Sequence, residues 1–407
     1  MRRAPDFDTA IVGGGPAGAC AALLLARAGR PVVLFDREEH PRYKTCGGGL
    51  VRRALNELPI DLEELDGCGE AAAGIELFAA EMHLADSGLA FRVERPEPLL
   101  RMTMRSDLDH ALLQAAASEG ADVRQPCAVT GVAREGDPGD TIRLETEGGP
   151  VTARFVLAAD GALSRTAAAA GWTETPELIP ALESELSVPA SHLERYASCA
   201  RFDFDVVSDG YGWVFPKRSH LSVGVLSMRR GRSGLLRLLE RYLERLGLDD
   251  VRGAEHHGFV IPVRPRPGPL ARDRVLLLGD AAGLADPLTA EGISGALISG
   301  RLAAEALLAH DPAPGSVERA YHRALDRALL RDLAVARRMA RVIYGSPRWR
   351  ARLFRSFGQL FVEAMTAQIS GEQTYRELLL RPTVWARLLR GKLRRSPSPR
   401  ASATLRG

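Results

Sequence analysis

Three glycines, Gly13, Gly15 and Gly18, stand between an apolar run at Asp8–Val12 and an alanine- and leucine-rich stretch opening at Pro16, and an acid, Asp36, closes the next apolar run 18 residues after Gly18. Each residue type has a physical job in holding a dinucleotide. Gly13 makes the tight turn, Gly15 lets the backbone approach a pyrophosphate, and Gly18 lets a helix pack on the strand. Pro16 and Ala17 open that helix, whose N-terminus faces the phosphates. Asp36, followed by Arg37, can accept hydrogen bonds from the adenosine ribose hydroxyls, which favours FAD or NAD over NADP.

A second constellation separates these two. Arg274–Gly279 reads as a buried strand ending at Asp280, followed by a small-residue loop containing Pro287 and a helix beginning near Glu291, Gly292 and Ile293. An aspartate there can bind the ribityl hydroxyls of a flavin, a contact nicotinamide nucleotides do not use. The helix N-terminus near Gly292 can face the negative charge that builds on the N1–C2=O edge of a reduced flavin. The plainer reading of Asp280 is an N-cap. The two constellations together predict FAD.

The elements that must position these residues follow from local pattern. Residues 8–36 read as one βαβ unit, with a helix from Pro16 to Ala28 and a second strand at Pro31–Asp36. Arg105–Ala121 reads as a helix capped by Ser106. Strand-like segments follow at Val123–Ala133, Thr141–Glu145 and Val151–Ala159. From about 175 to 268 the alternation suits an antiparallel sheet, with strands at Arg201–Val207, Gly212–Phe215, Leu221–Leu226 and Gly258–Val263. An amphipathic helix at Leu235–Leu246 interrupts it, and His256 and His257, lacking a partner at metal spacing, suit a sheet edge or the surface. The predicted architecture is α/β: a Rossmann-like FAD-binding domain (1–58, 105–174 and 269–312), an inserted antiparallel-sheet substrate domain (59–104 and 175–268), a helical C-terminal region (313–393) and a disordered basic tail (394–407).

Composition narrows the class. With 407 residues, 45% of them hydrophobic and 26% charged, the chain is an ordinary globular protein of two to three domains, not a collagen, coiled coil or wholly disordered chain. Its five cysteines are odd in number and scattered, with no zinc spacing, so no metal is expected. No signal peptide or membrane span is readable, and the expected location is the cytoplasm, with peripheral contact on the inner face of a membrane as the only membrane role. Residues 321–407 carry 19 Lys/Arg against 5 Asp/Glu, a net of +14, while the rest of the chain is acidic. Solvated helix faces, attraction to anionic lipid, and nucleic-acid binding each account for such an end; no recognition motif accompanies the last, and none is expected. If the tail binds lipid, truncation after about residue 380, which removes eight basic residues, weakens binding to anionic vesicles.

The chain resembles the FAD-dependent geranylgeranyl reductase family, within the larger class of flavoproteins built like p-hydroxybenzoate hydroxylase. The resemblance covers roughly residues 8–310. It rests on His40-Pro-Arg-Tyr-Lys-Thr-Cys-Gly-Gly-Gly-Leu50, Arg105-Ser-Asp-Leu-Asp109, Ala159-Asp-Gly-Ala-Leu-Ser164, Tyr211-Gly-Trp-Val-Phe-Pro-Lys217 and Asp286-Pro-Leu-Thr-Ala-Glu-Gly292. The first and fourth are the specific ones, and they hold two of only three lysines in a chain with 51 arginines. The resemblance implies that Arg105, Asp160, Gly161 and Asp280 contact the FAD, that Cys46, Gly47 and Gly48 lie near its ring, and that Trp213 and Phe215 wall a substrate cavity. Ala290 departs from the glycine common in the family, and a small local shift without loss of cofactor is expected there.

Reduction of C=C bonds in a geranylgeranyl or other polyprenyl group is the activity this implies, with NADPH, NADH or a ferredoxin as external donor. Cys46 is either the proton donor, its thiol titrating at about 8.5 when unperturbed, or simply a small residue in a tight loop; Tyr211 and Trp213 complete the catalytic candidates. Lys44 contacts cofactor or a substrate diphosphate, or is surface charge. Lys217 pairs with an anionic head group, or its stem covers the sheet edge. Two other readings remain: a flavin monooxygenase or halogenase, and a non-catalytic polyprenyl-lipid carrier that keeps FAD as a structural group. The oligomeric state is not encoded in any of these motifs.

Overall fold

The apolar run after Asp6 becomes the strand Phe7–Val12, central in a sheet whose strands run in the order Ala271–Arg272, Val275–Leu277, Val151–Ala158, Phe7–Val12, Val32–Phe35 and Asp122–Arg124. All its neighbours pair in parallel except the short outer pair at Ala271–Arg272. The antiparallel strands Val129–Glu135 and Thr141–Thr146 join at Val151–Ala158. The computed structural model describes residues 4–61, 74–135, 141–248, 255–310 and 315–380. The basic tail from 381 and Cys68 lie outside these residues.

Register explains why distant motifs meet. Val12 pairs with Ala158 and Phe35, and Ala158 pairs with Leu277. The residues just past these positions, Gly13, Asp36, Asp160 and Asp280, therefore leave the sheet along one edge, at the carboxyl ends of parallel strands where ligands bind in such folds. The helix Pro16–Arg27 packs on the helix Ile293–Ala309, and Gly300 makes the approach possible: a Cβ there would sit 2.4 Å from the Ala17 carbonyl oxygen.

The second sheet runs Glu255–Pro262, Leu178–Leu186, Leu221–Ser227, Gly210–Pro216, Cys199–Phe204, Ala79–Leu84 and Leu89–Glu94. It is antiparallel throughout except where Cys199–Phe204 pairs in parallel with Ala79–Leu84, a departure from the expected all-antiparallel sheet. His256 and His257 lie on its edge strand. Alternation assigns its two faces. Val214, Val223 and Val225 meet Leu235, Leu239 and Leu243 of the helix Leu235–Leu246. On the other face Tyr211, Trp213 and Leu226 meet Tyr344, Phe354, Val362 and Met365 from the helices Arg331–Gly345 and Pro347–Ile369. A small sheet of Gly49–Val51, Leu100–Met102 and Ile75–Leu77 joins the two bodies.

Two local expectations are corrected. Ser106 does not cap its helix: Arg105–Ser118 begins after Met104, and the Ser106 hydroxyl donates to Asp107 Oδ1 at 3.0 Å. The segment read as one strand, Val123–Ala133, is two, Asp122–Arg124 and Val129–Glu135, because Pro126 supplies no ladder donor. Among the described residues no helix is long and apolar enough to cross a membrane.

Candidate active site

A single cavity of about 560 Å³ runs from Asp36 and Arg37, past Gly13 and Gly15, to Asp280, and on into a box of aromatic side chains. Its polar end has the shape of a dinucleotide cradle. Gly13 adopts φ +109°, and a Cβ there would meet the Ala159 carbonyl oxygen at 2.4 Å; a Cβ on Gly18 would lie 2.0 Å from the Gly13 oxygen. At Gly15 a Cβ would meet only the Arg105 guanidinium, 3.8 Å away, so the space a pyrophosphate needs lies open between backbone and cation. Gly13, Gly15, Pro16, Ala17, Asp36, Arg37, Arg105, Asp160, Gly161, Asp280, Gly292 and Ile293 all line the cavity. Gly18 lies behind the wall, as its packing role requires. Gly18→Val should therefore abolish flavin binding, read as loss of yellow colour in the purified protein, because the helix can no longer approach the turn.

The acids of the cradle are held by different means. Asp36 accepts from the Gly14 N–H at 2.6 Å and the Glu38 N–H at 2.9 Å, with His40 Nε2 3.4 Å away. Burial works against its charge, yet these bonds outweigh it and hold the carboxyl below its ordinary range. Asp160 accepts from the Ser164 hydroxyl and, at 2.9 Å, from the Thr166 N–H, so its side chain braces the segment while Gly161 faces the cavity. Arg105 makes a two-bond clamp on buried Asp109, at 2.9 and 2.8 Å, which fixes its direction. Asp280 is raised by burial, opposed by Lys44 and Arg105, and lies 3.3 Å from where a Cβ on Gly292 would stand. Lys44 lines the same wall with its ammonium 3.5 Å above the Phe259 ring.

The loop Asp286–Gly292 is pinned from three sides. Asp286 Oδ1 accepts from the Leu288 and Thr289 N–H groups, at 2.7 and 3.1 Å. The Tyr344 hydroxyl donates to the Leu288 carbonyl at 2.7 Å, and the Tyr211 hydroxyl donates to the Thr289 carbonyl. The Tyr211 proton is thus committed to holding the loop, and burial raises its pKa further. Leu288 through Ile293 reach the cavity; Pro287 is buried inside the loop and does not. Ala290 sits at φ +59°, where a Cβ costs roughly 1 kcal/mol. Ala290→Gly should raise the unfolding free energy by up to about 1 kcal/mol, measured by denaturant titration, with FAD binding unchanged.

Between cradle and aromatic box lies the Cys46 loop. Its backbone is fixed by buried polar side chains that the sequence reading did not single out or placed elsewhere. Glu183 Oε1 accepts from the Cys46 N–H at 2.7 Å and the Tyr43 hydroxyl at 3.0 Å. Burial and the neighbouring Glu185 push the Glu183 carboxyl up to about 7. Lys217 is buried and donates to the carbonyls of Gly47 at 2.7 Å and Thr103 at 2.9 Å. It does not line the cavity, so it neither meets a head group nor covers a sheet edge; its cation is spent on tying the loop. Gly48, at φ +66°, leaves no room for a Cβ beside that ammonium, 2.2 Å away, and a Cβ on Gly47 would strike the Phe215 ring at 2.9 Å. The Gly48 N–H donates to Cys46 Sγ at 3.4 Å.

Beyond this loop the cavity is walled by Phe202, Phe204, Tyr211, Trp213 and Phe215 from the sheet and by Tyr344, Phe361 and Met365 from the C-terminal helices. Trp213 lies flat across Gly224, where a Cβ would be 2.1 Å from the indole. Its buried Nε1–H has no hydrogen-bond partner among the described residues.

Residues 6–206 match the model of an FAD binding domain. A digeranylgeranylglycerophospholipid reductase of Methanopyrus kandleri is 34% identical over 320 residues, 74% of this chain and 80% of that one. The chain belongs to the geranylgeranyl reductase family. A menaquinone reductase of Mycolicibacterium smegmatis is 30% identical over 356 residues, 82% of this chain and 83% of that one. The fold is shared with a geranylgeranyl bacteriochlorophyll reductase-like protein of Thermoplasma acidophilum, at a TM-score of 0.72, 24% identity, and 83% and 87% coverage of the two chains. This geranylgeranyl reductase family member is an FAD-dependent oxidoreductase, and the cradle described above fits that cofactor.

Glu183 and the C-terminal wall are the parts that local sequence reading missed. Glu183 and Glu185 alternate on a strand otherwise apolar on that side, Leu178–Leu186, and a pair of acids inside such a strand is the signal that marks a buried site. Tyr344, Phe361 and Met365 lie on helices whose arginines dominate any local pattern.

Proposed function

We propose that this enzyme reduces isolated C=C bonds of a polyprenyl chain. The observation that carries this is the continuity of one cavity from the FAD cradle, past Cys46, into an aromatic and aliphatic box closed by Trp213, Phe361 and Met365. A long apolar chain can lie in such a box, and its head group need not be recognised there. Relatives named for digeranylgeranylglycerophospholipid and for menaquinone support that reading, since both molecules carry isoprenoid chains on unlike heads.

Reduction of an unactivated alkene adds a hydride to one carbon and a proton to the other. Reduced FAD, when bound, is the hydride source. The chain's own part is to exclude water, to hold the alkene flat against Trp213 and Phe215, and to deliver the proton. Cys46 Sγ stands at the junction and is the proton donor in this reading, with Glu183 beside its backbone as the group that holds a proton at neutral pH. The external reductant is NADPH, NADH or a ferredoxin.

The test is anaerobic. Dithionite-reduced enzyme is mixed with geranylgeranyl diphosphate, a digeranylgeranyl glycerophospholipid or menaquinone, and products are read by mass spectrometry alongside flavin reoxidation. Products whose polyprenyl chain gains a pair of hydrogens per bond reduced support the reading, with menaquinone returned to its quinone form before analysis because reduction of the ring to the quinol gives the same mass gain. No such product from any of the three overturns it for these substrates; in a parallel aerobic run, oxygen uptake in proportion to substrate would instead identify a monooxygenase or halogenase.

A further inference from the structure

The helices that wall the apolar end of the cavity carry an outer face of unusual composition. Between Leu333 and Val362 there are seven arginines and not one Asp or Glu. Arg350 is fully buried and paired with Asp205, so it belongs to the interior. Arg338, Arg341, Arg348, Arg352 and Arg355 are exposed and form no ion pair with a described residue. Arg337 has its pKa lowered by burial and by Arg264 and Arg341, with Glu177 opposing them, so like charges crowd here.

Set among these cations are two large apolar side chains turned to solvent. Val342 is 61% exposed and Trp349 63%, on either side of the corner where Arg331–Gly345 ends and Pro347–Ile369 begins. Ser346 caps the second helix by accepting from the Trp349 N–H at 3.5 Å, and the Arg352 guanidinium lies 5.2 Å from the Trp349 ring. The corner is therefore an ordered element. An exposed tryptophan with one guanidinium beside it, on helices with further exposed arginines, matches a membrane interface, where the indole sits at head-group depth and the cations meet anionic lipid.

We propose that this corner is the surface by which the protein docks on an anionic lipid bilayer. The occupant is chosen by charge: five unpaired arginines without an acid repel a second copy of the same face and attract a negative surface. Docking here brings a bilayer against the helices whose inner sides, through Tyr344 and Phe361, line the cavity. The proposal does not depend on which molecule is reduced.

The test uses the full-length FAD-loaded protein and co-sedimentation with vesicles of phosphatidylcholine, alone or containing phosphatidylglycerol. Binding to the mixed vesicles should fall by about tenfold or more for Trp349→Ser and for Arg341→Glu with Arg348→Glu, and should weaken in high salt. Leu236→Ser, at an exposed apolar residue on the opposite side of the second sheet, should bind as the parent does, and all variants should keep the flavin spectrum. A chain ending at residue 380 should retain binding that still depends on Trp349. Unchanged binding by the Trp349 and Arg341/Arg348 variants, or equal binding to uncharged vesicles, overturns the proposal, as does a change confined to oligomeric state on size-exclusion chromatography.

Discussion

Glu183→Gln should keep its FAD, keep the position of the Cys46 loop, and lose about 100-fold in turnover, the usual size of a lost acid-base contribution. Glutamine's carbonyl can accept the same two bonds, from the Cys46 N–H and the Tyr43 hydroxyl, that Glu183 Oε1 accepts. What it cannot do is carry the proton that a carboxyl pushed up to about 7 still holds at neutral pH. Turnover of the parent should fall as pH rises through about 7, and the variant's profile should lack that limb. The groups facing Glu183 are Tyr43 and Cys46 from the loop, Glu185 on its own strand with His220 ion-paired to it, Lys217 beyond the next strands, and His257 in register on the edge strand. An unchanged limb in the variant would assign it to one of these. Glu183→Ala should do worse, leaving the buried Cys46 N–H without a partner at a cost of about 1–3 kcal/mol.

Stability gives an independent readout with a definite sign. Glu183 titrates at about 7 in the folded chain against an ordinary value of 4.5. The folded state therefore holds its proton where the unfolded state has lost it, and stability declines as pH rises across that window. Above it the buried carboxylate costs about 3 kcal/mol. Glu183→Gln should remove this decline, so that at pH 8 the variant is the more stable protein in denaturant titration while being the poorer enzyme. Few substitutions at a merely structural position would move the two in opposite directions.

What could be read from the residues was whatever local pattern controls. Gly13, Gly15, Gly18, Asp36 and Asp280 each follow from a strand end and the turn after it, and all but Gly18 line the cavity. The helix Leu235–Leu246 has the bounds its apolar spacing indicates, because its Gly234 and Gly247 flanks adopt left-handed backbone that ends a helix. What escaped depends on pairing across the chain. The Ala79–Leu84 strand reaches the second sheet by pairing with Cys199–Phe204, more than a hundred residues on, and its own alternation is weak. Lys217 was legible as a rare residue in a specific motif, yet its partners are two backbone carbonyls, which no sequence pattern displays. Glu183 was hidden for the same reason, its partner being a backbone N–H in another segment.

Arg350→Met should destabilise the protein by about 3–5 kcal/mol, the loss typical of leaving half a buried ion pair behind. Composition treats Arg350 as one more arginine on a basic helix, but its side chain is wholly buried, with Nη2 2.7 Å from Asp205 Oδ1 and Nη1 3.1 Å from the Ser208 carbonyl. These contacts fasten the first turn of Pro347–Ile369 to the end of the Cys199–Phe204 strand. Removing the cation strands Asp205, so Asp205→Asn in the same chain should recover most of the loss; asparagine tolerates the left-handed backbone, φ +76°, found there. Arg348→Met, two residues away and exposed, should change stability by less than about 0.5 kcal/mol. The functional consequence follows from the other end of the helix. Phe361, Val362 and Met365 reach the cavity only while the helix is seated on the sheet. Arg350→Met should therefore loosen the apolar wall without touching the FAD cradle, and substrate turnover should fall at temperatures where the flavin spectrum is still that of the parent. Equal thermal profiles for flavin retention and turnover would show that the helix does not seat the wall independently of the cradle.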